Sequence, residues 1–153
     1  MKIEKVITTM QDMDVDISEV TLLSRDEYEN YMDNISKIDQ WWWLRSPGSL
    51  HDYASYVDPD GSVLYDGVDY VGGCVRPALK ISNPKSANLQ IGDRFFVAGY
   101  SWTVIGEGVA LCDQCVGQTA FRAGWRANDA NDYEASDVKK WLERWCAENG
   151  IVA

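Results

Sequence analysis

Three consecutive tryptophans, Trp41-Trp42-Trp43, followed by Leu44-Arg45-Ser46-Pro47-Gly48, constrain this chain more than any other feature. Side chains on a strand alternate between faces, so Trp41 and Trp43 share one side and Trp42 takes the other. Such a strand is apolar on both faces. It therefore belongs inside a domain, and Pro47-Gly48 must turn the chain out into a surface loop. About thirty residues on, Gly73-Cys74-Val75-Arg76-Pro77-Ala78-Leu79-Lys80-Ile81 enters a second strand through a Gly-Gly turn, and Pro77 marks it as an edge or an irregular start.

The segment between these strands differs in character. From Ser49 to Gly72 it is rich in Tyr, Asp, Ser and Gly, the composition of recognition loops in which rigid aromatic rings sit among adaptable polar groups. Asp58-Pro59-Asp60-Gly61 is a tight turn between Tyr56-Val57 and Ser62-Val63-Leu64, which predicts a hairpin. Leu50, His51, Asp52, Tyr53 and Tyr56 on one flank, and Leu64, Tyr65, Asp66, Asp69 and Tyr70 on the other, are the candidate partner-binding residues. A solvated hairpin with no partner is the plainer reading of the same residues.

The 153 residues, 46% apolar, suffice for one domain with a substantial core, and 1–153 is taken as a single domain. No run long enough to span a bilayer occurs, and the N-terminus does not read as a secretion signal, so a cytoplasmic address is expected. The formal charge of -10 is concentrated in residues 1–40, which hold ten acids against four bases. This balance disfavours nucleic acid and anionic membranes; it favours basic partners or simple solubility. Asp12, Asp14 and Asp16 alternate with Met13, Val15 and Ile17, predicting an acidic ladder with carboxylates about 7 Å apart along a strand. Charge on an edge strand discourages unwanted pairing; alternatively, the ladder imitates a phosphate backbone.

Residues 2–9 read as a short strand. Ser24 and Glu27 form a capping box for a helix whose stripe is Tyr28, Tyr31, Met32 and Ile35. Three short strands, 94–98, 102–105 and 109–112, predict an antiparallel meander. Ser136 caps a closing helix with Val138, Trp141, Leu142 and Trp145 on its buried face, and Gly150 ends it. Two amphipathic helices and about eight short strands make the expected class α+β.

The four cysteines, Cys74, Cys112, Cys115 and Cys146, are expected as buried thiols in a cytoplasmic protein. Cys112 and Cys115 have the spacing of half a zinc site or of a redox pair, but the only histidine is His51. Nucleophilic catalysis would have to use that histidine, within the recognition segment. Asn131, Asp132 and Glu134 offer calcium ligands, although such clusters before a helix are ordinary caps and turns. No metal and no cofactor is expected. Arg45 and Arg76 read as framework residues with Trp41, Trp42 and Trp43, each guanidinium satisfying several loop carbonyls; a ligand carboxylate held between them is the alternative.

Several ordered motifs over roughly residues 20–82 resemble an uncharacterised bacterial and phage domain family that carries WWLRSPG and GVRPAL signatures. These are Leu22 to Tyr31, Trp42 to Gly48, Val57 to Val63, and Val75 to Ile81. The second half, ending in the Asn131 to Leu142 motif, resembles the other portion of the same family. In that family the second portion comes first, so the resemblance implies a circular permutation, or a window cut from tandem copies. It further implies a C-type-lectin-like fold, similar also to formylglycine-generating enzymes. It points to a non-catalytic protein-binding module of phage or mobile-element origin in a bacterial host cell. A narrower version is an anti-CRISPR-like acidic inhibitor whose Asp12, Asp14 and Asp16 face occupies the channel of a basic nucleic-acid-binding protein. The rival class is a metal-dependent sugar binder or a formylglycine-generating-enzyme-like oxidase.

Overall fold

A computed structural model describes residues 15–153. The chain runs β1 (Ile17–Thr21), α1 (Arg25–Tyr31), β2 (Trp42–Pro47), β3 (Tyr53–Val57), β4 (Val63–Gly67), β5 (Cys74–Val75), β6 (Ala78–Ile81), β7 (Arg94–Val97), β8 (Tyr100–Gly106), β9 (Val109–Cys112), β10 (Gly117–Gln118) and α2 (Asp137–Glu148). The strands form two five-stranded sheets, ordered β1-β6-β9-β8-β7 and β10-β5-β2-β3-β4. This corrects the expected α+β, C-type-lectin-like class. The described residues are mostly β, and the two α-helices are short, at 7 and 12 residues.

The first helix falls short of its expected stripe for a local reason. The Ser24–Glu27 capping box forms as expected, but after Tyr31 the chain tightens into a 3-10 turn over Met32–Asn34, and Ile35 is already extended. Tyr28 alone on α1 is buried, while Met32 stays exposed. Helix α2 keeps its predicted cap at Ser136, and Gly150 follows it in the left-handed region at φ +69°.

Pro77 lies at a crossover between the sheets and does not begin an edge strand. β5 belongs to the second sheet, and two residues later β6 sits inside the first, between β1 and β9. Proline suits this break because it has no N–H to leave unpaired. Its carbonyl accepts from the Cys112 N–H at 2.9 Å.

Strand alternation sorts the interior into two apolar clusters. Trp43, Leu22, Val75, Leu79 and Ala110 enter one, beneath α2; their neighbours Trp42, Leu23, Cys74, Ala78 and Leu111 enter the other, beneath α1. The predicted division of the tryptophans is observed. Trp41 and Trp43 meet edge to face at 4.9 Å, while Trp42 meets Tyr28 at 5.6 Å on the opposite side. Both faces of β2 are therefore packed.

The cysteine expectation needs correction. Cys74 and Cys115 form a disulfide, with Cα atoms 5.7 Å apart, which ties β5 to the segment after β9. The Cys112/Cys115 spacing is thus no paired ligand set, since Cys112 points into the core as a free thiol. Burial pushes that thiol up to about 11, which makes it a poor nucleophile at neutral pH.

Candidate protein-binding surface

The predicted hairpin forms from β3 and β4, paired in unbroken register from Tyr53↔Gly67 to Val57↔Val63. Gly61 closes the turn at φ +92°, a conformation that glycine adopts without strain, and the Asp60 carboxylate accepts from the Ser62 N–H at 2.8 Å. The hairpin is held from behind. β3 pairs with the tryptophan strand, and the Asn131 side chain donates to the Leu50 and Tyr53 carbonyls at 3.0 and 3.1 Å.

Alternation divides the candidate binding residues between the two sheet faces. Tyr56 and Leu64 lie cross-strand on the Trp43 face, with Asp66 two residues beyond Leu64. Tyr56 packs on Trp41 at 4.9 Å and is half-buried. Burial raises its phenol, and the Asp66 and Asp58 carboxylates and nearby Tyr70 push in the same direction. Tyr65 occupies the opposite face, where Arg25 of α1 stacks over its ring at 5.4 Å and donates to its hydroxyl. Tyr53 shares that face and is half-buried.

Leu50 and His51 stand exposed before β3, and Asp69 and Tyr70 stand exposed after β4. Asp52 is half-buried, and its carbonyl accepts from the Val68 N–H at 2.8 Å. Val68, fully buried, pins the loop that presents Asp69 to Val71. Five of the nine large apolar residues exposed among the described residues fall between positions 50 and 71: Leu50 (55%), Leu64 (42%), Tyr65 (40%), Tyr70 (55%) and Val71 (77%). Sequence reasoning missed Val71, which has no polar neighbour pattern to single it out. It also missed Arg25, whose role depends on a contact 40 residues away.

The framework residues are tied into the scaffold. Arg76 is 1% exposed, donates to the Cys112 and Ser36 carbonyls at 2.7 and 3.0 Å, and lies over the Trp42 ring at 5.1 Å. Burial brings it down to about 10 against the opposing pull of Asp113, so it keeps its charge at neutral pH. Arg45 donates to the Leu22 carbonyl at 2.6 Å and to Glu27 at 2.5 Å. Glu27 also takes Lys80 and the Ser24 N–H, joining α1, β2 and β6. Burial pushes its carboxyl up, but the Lys80 and Ser24 hydrogen bonds and the two cations outweigh this and hold it at about 2.

Asp12 and Asp14 lie outside the described residues, as does the expected strand over residues 2–9. Asp16 is exposed, just before β1, and its N–H donates to the Asn83 side chain at 2.8 Å. The residues considered for calcium have structural partners. Asp132 caps the 3-10 turn at Tyr133, Glu134 pairs with Lys139, and Asn131 holds the loop before β3.

Residues 8–83 match DUF6273, a domain of unknown function. The match fits the expectation of an uncharacterised family. The DUF6273 match takes in the tryptophan strand, the whole hairpin and the crossover at Pro77. Its strands share both sheets with the rest of the chain, β6 pairing with β9 and β5 with β10. No curated protein and no solved structure matches the chain.

Proposed function

We propose that the chain is a non-catalytic module that binds a protein partner through the β3–β4 hairpin and the loop that follows it. One observation carries this reading: exposed apolar and aromatic side chains concentrate between positions 50 and 71, on β4 and in the segments flanking the β3–β4 pair, whose inner strand is paired with the buried tryptophan strand. Exposed apolar groups cost solvation and invite association, and a rigid mount lowers the entropy lost on binding. The resemblance to phage and mobile-element proteins supports a partner within a bacterial cell.

The test is quantitative capture from bacterial lysate with the parent protein and with Leu64→Ser and Tyr70→Ser variants of unchanged melting temperature. The proposal expects a stoichiometric partner that either variant releases. A partner retained by both variants, cross-linking elsewhere on the chain, would remove the hairpin from the account.

A further inference from the structure

The two sheets have four edges, and three of them are blunted. β1 carries a bulge between Ile17 and Glu19 and exposes Ser18 and Glu19. β10 is two residues long. β7 has four residues, begins at exposed Arg94, and ends in a turn in which Ala98 and Gly99 both take positive φ. Bulges, charges and brevity are the usual means of keeping a strand edge from pairing. The fourth edge, β4, is neither bulged nor brief: it holds five residues in regular register without proline or lysine, and its one charge is the acidic Asp66.

The register also shows which backbone groups are unused. The Asp58 N–H donates to the Ser62 carbonyl, so the directly bonded pairs along the hairpin are those of alternate residues, Tyr56 with Leu64 and Ala54 with Asp66. Val63 and Tyr65 then direct their N–H and C=O groups away from β3. Gly67 does too, but the Asp66 carboxylate satisfies its N–H at 2.7 Å and the Tyr70 N–H reaches its carbonyl at 3.3 Å. Among the described residues nothing pairs with the outward groups of Val63 and Tyr65.

Charge indicates what could pair there. Residues 46–75 contain five aspartates and neither lysine nor arginine. From other elements, Arg25 reaches Tyr65 and Lys37 lies beside Asp60; among the described residues Asp52, Asp58, Asp66 and Asp69 have no ion pair. A second copy of the chain would bring like charges to the same edge. We propose that β4 accepts an extended segment of a partner protein, rich in lysine or arginine, as a sixth strand. Main-chain hydrogen bonds to Val63 and Tyr65 would supply affinity, and Leu64 and Tyr65 would each contact alternate side chains on their own face. This rests on the hairpin reading above and adds the binding mode and the partner's chemistry.

The probe is a displayed library of random peptides about twelve residues long, selected on the intact protein, with the best sequence synthesised. Selected peptides should alternate lysine or arginine with β-branched or aromatic residues. Binding should weaken by about tenfold or more in Tyr65→Pro relative to Tyr65→Ala, since proline removes an N–H that β3 does not use. Methylating alternate peptide amides should cost as much against the unaltered protein, so the outcome does not depend on Tyr65→Pro folding. Acidic or uncharged selections, a library that yields no binder, or affinity indifferent to both backbone changes would overturn the proposal. So would a dimer that Tyr65→Pro dissociates, because a second copy would then be the occupant. If Leu64→Ser releases the cellular partner while Tyr65→Pro retains it, the surface reading stands and the added strand fails.

Discussion

β2 and β4 belong to the same sheet, one strand apart, yet they are opposite in kind. β2 is interior: Trp42, Trp43 and Leu44 are buried, and its neighbours are β3 and β5. β4 is terminal, and Leu64 and Tyr65 are exposed on its two faces. β3 belongs to both settings, since its Val57 pairs with Trp42 on one side and Val63 on the other. Stability and recognition are thus placed on adjoining strands, and substitutions should separate them.

The largest effect is expected at the packed end. The Gly73 Cα lies against the Trp43 indole, so a Cβ there would overlap Nε1. That same indole donates to the Thr119 carbonyl at 3.0 Å. Trp43→Ala should cost about 3–5 kcal/mol, and Gly73→Val should leave little folded protein; denaturant melts and soluble yield measure both. Next comes the Cys74–Cys115 bridge, which closes a separation of 41 residues. Replacing both cysteines with alanine should lower stability by about 3–4 kcal/mol, and a reducing agent should lower the melting temperature of the parent but not of the variant.

Glu27 sharpens the comparison through pH. Its folded pKa of about 2 lies below the ordinary 4.5, so its contribution is fully present above about pH 4.5 and disappears as pH falls through about 2. The side chain is one-fifth exposed, and after solvent screening Glu27→Gln should cost about 1–2 kcal/mol at pH 7. Paired melts of parent and variant should converge between pH 4.5 and 2. The smallest stability effect belongs to the open edge. Leu64→Ser and Tyr70→Ser should change stability by less than about 0.5 kcal/mol while weakening partner binding by about tenfold or more.

The elements that were legible in the sequence are those fixed by neighbouring residues. The Ser24–Glu27 box, the Asp58–Gly61 turn, the meander strands and the Ser136 cap each depend on a few adjacent side chains, and each formed close to its expected bounds. The alternation of the tryptophans was equally readable, because the strand period is local. What escaped was pairing over distance. The crossover at Arg76–Pro77 puts β5 and β6 in different sheets, a choice made by β9 and β10 downstream. The Cys74–Cys115 bridge joins residues 41 apart and no local pattern marks it, whereas local spacing pairs Cys115 with Cys112. Fold class is not local either: two helical patterns point to α+β, but one helix stops after 7 residues, and the pairing of short strands into two five-stranded sheets makes the described residues mostly β. For the surface, residue types marked the segment, but only the register shows that Leu64 and Tyr65 face opposite ways and that β4 is an edge.

Residue-resolved native-state hydrogen exchange tests the contrast between the two strands most directly. The paired amides of Trp42 to Leu44 should exchange only through global unfolding, whereas the Val63 and Tyr65 amides should exchange freely in the isolated protein and become protected when a basic extended peptide binds. Protection at Val63 and Tyr65 already equal to that of β2 in the isolated protein would show the edge to be covered, and would contradict a scaffold that holds one strand open for a partner.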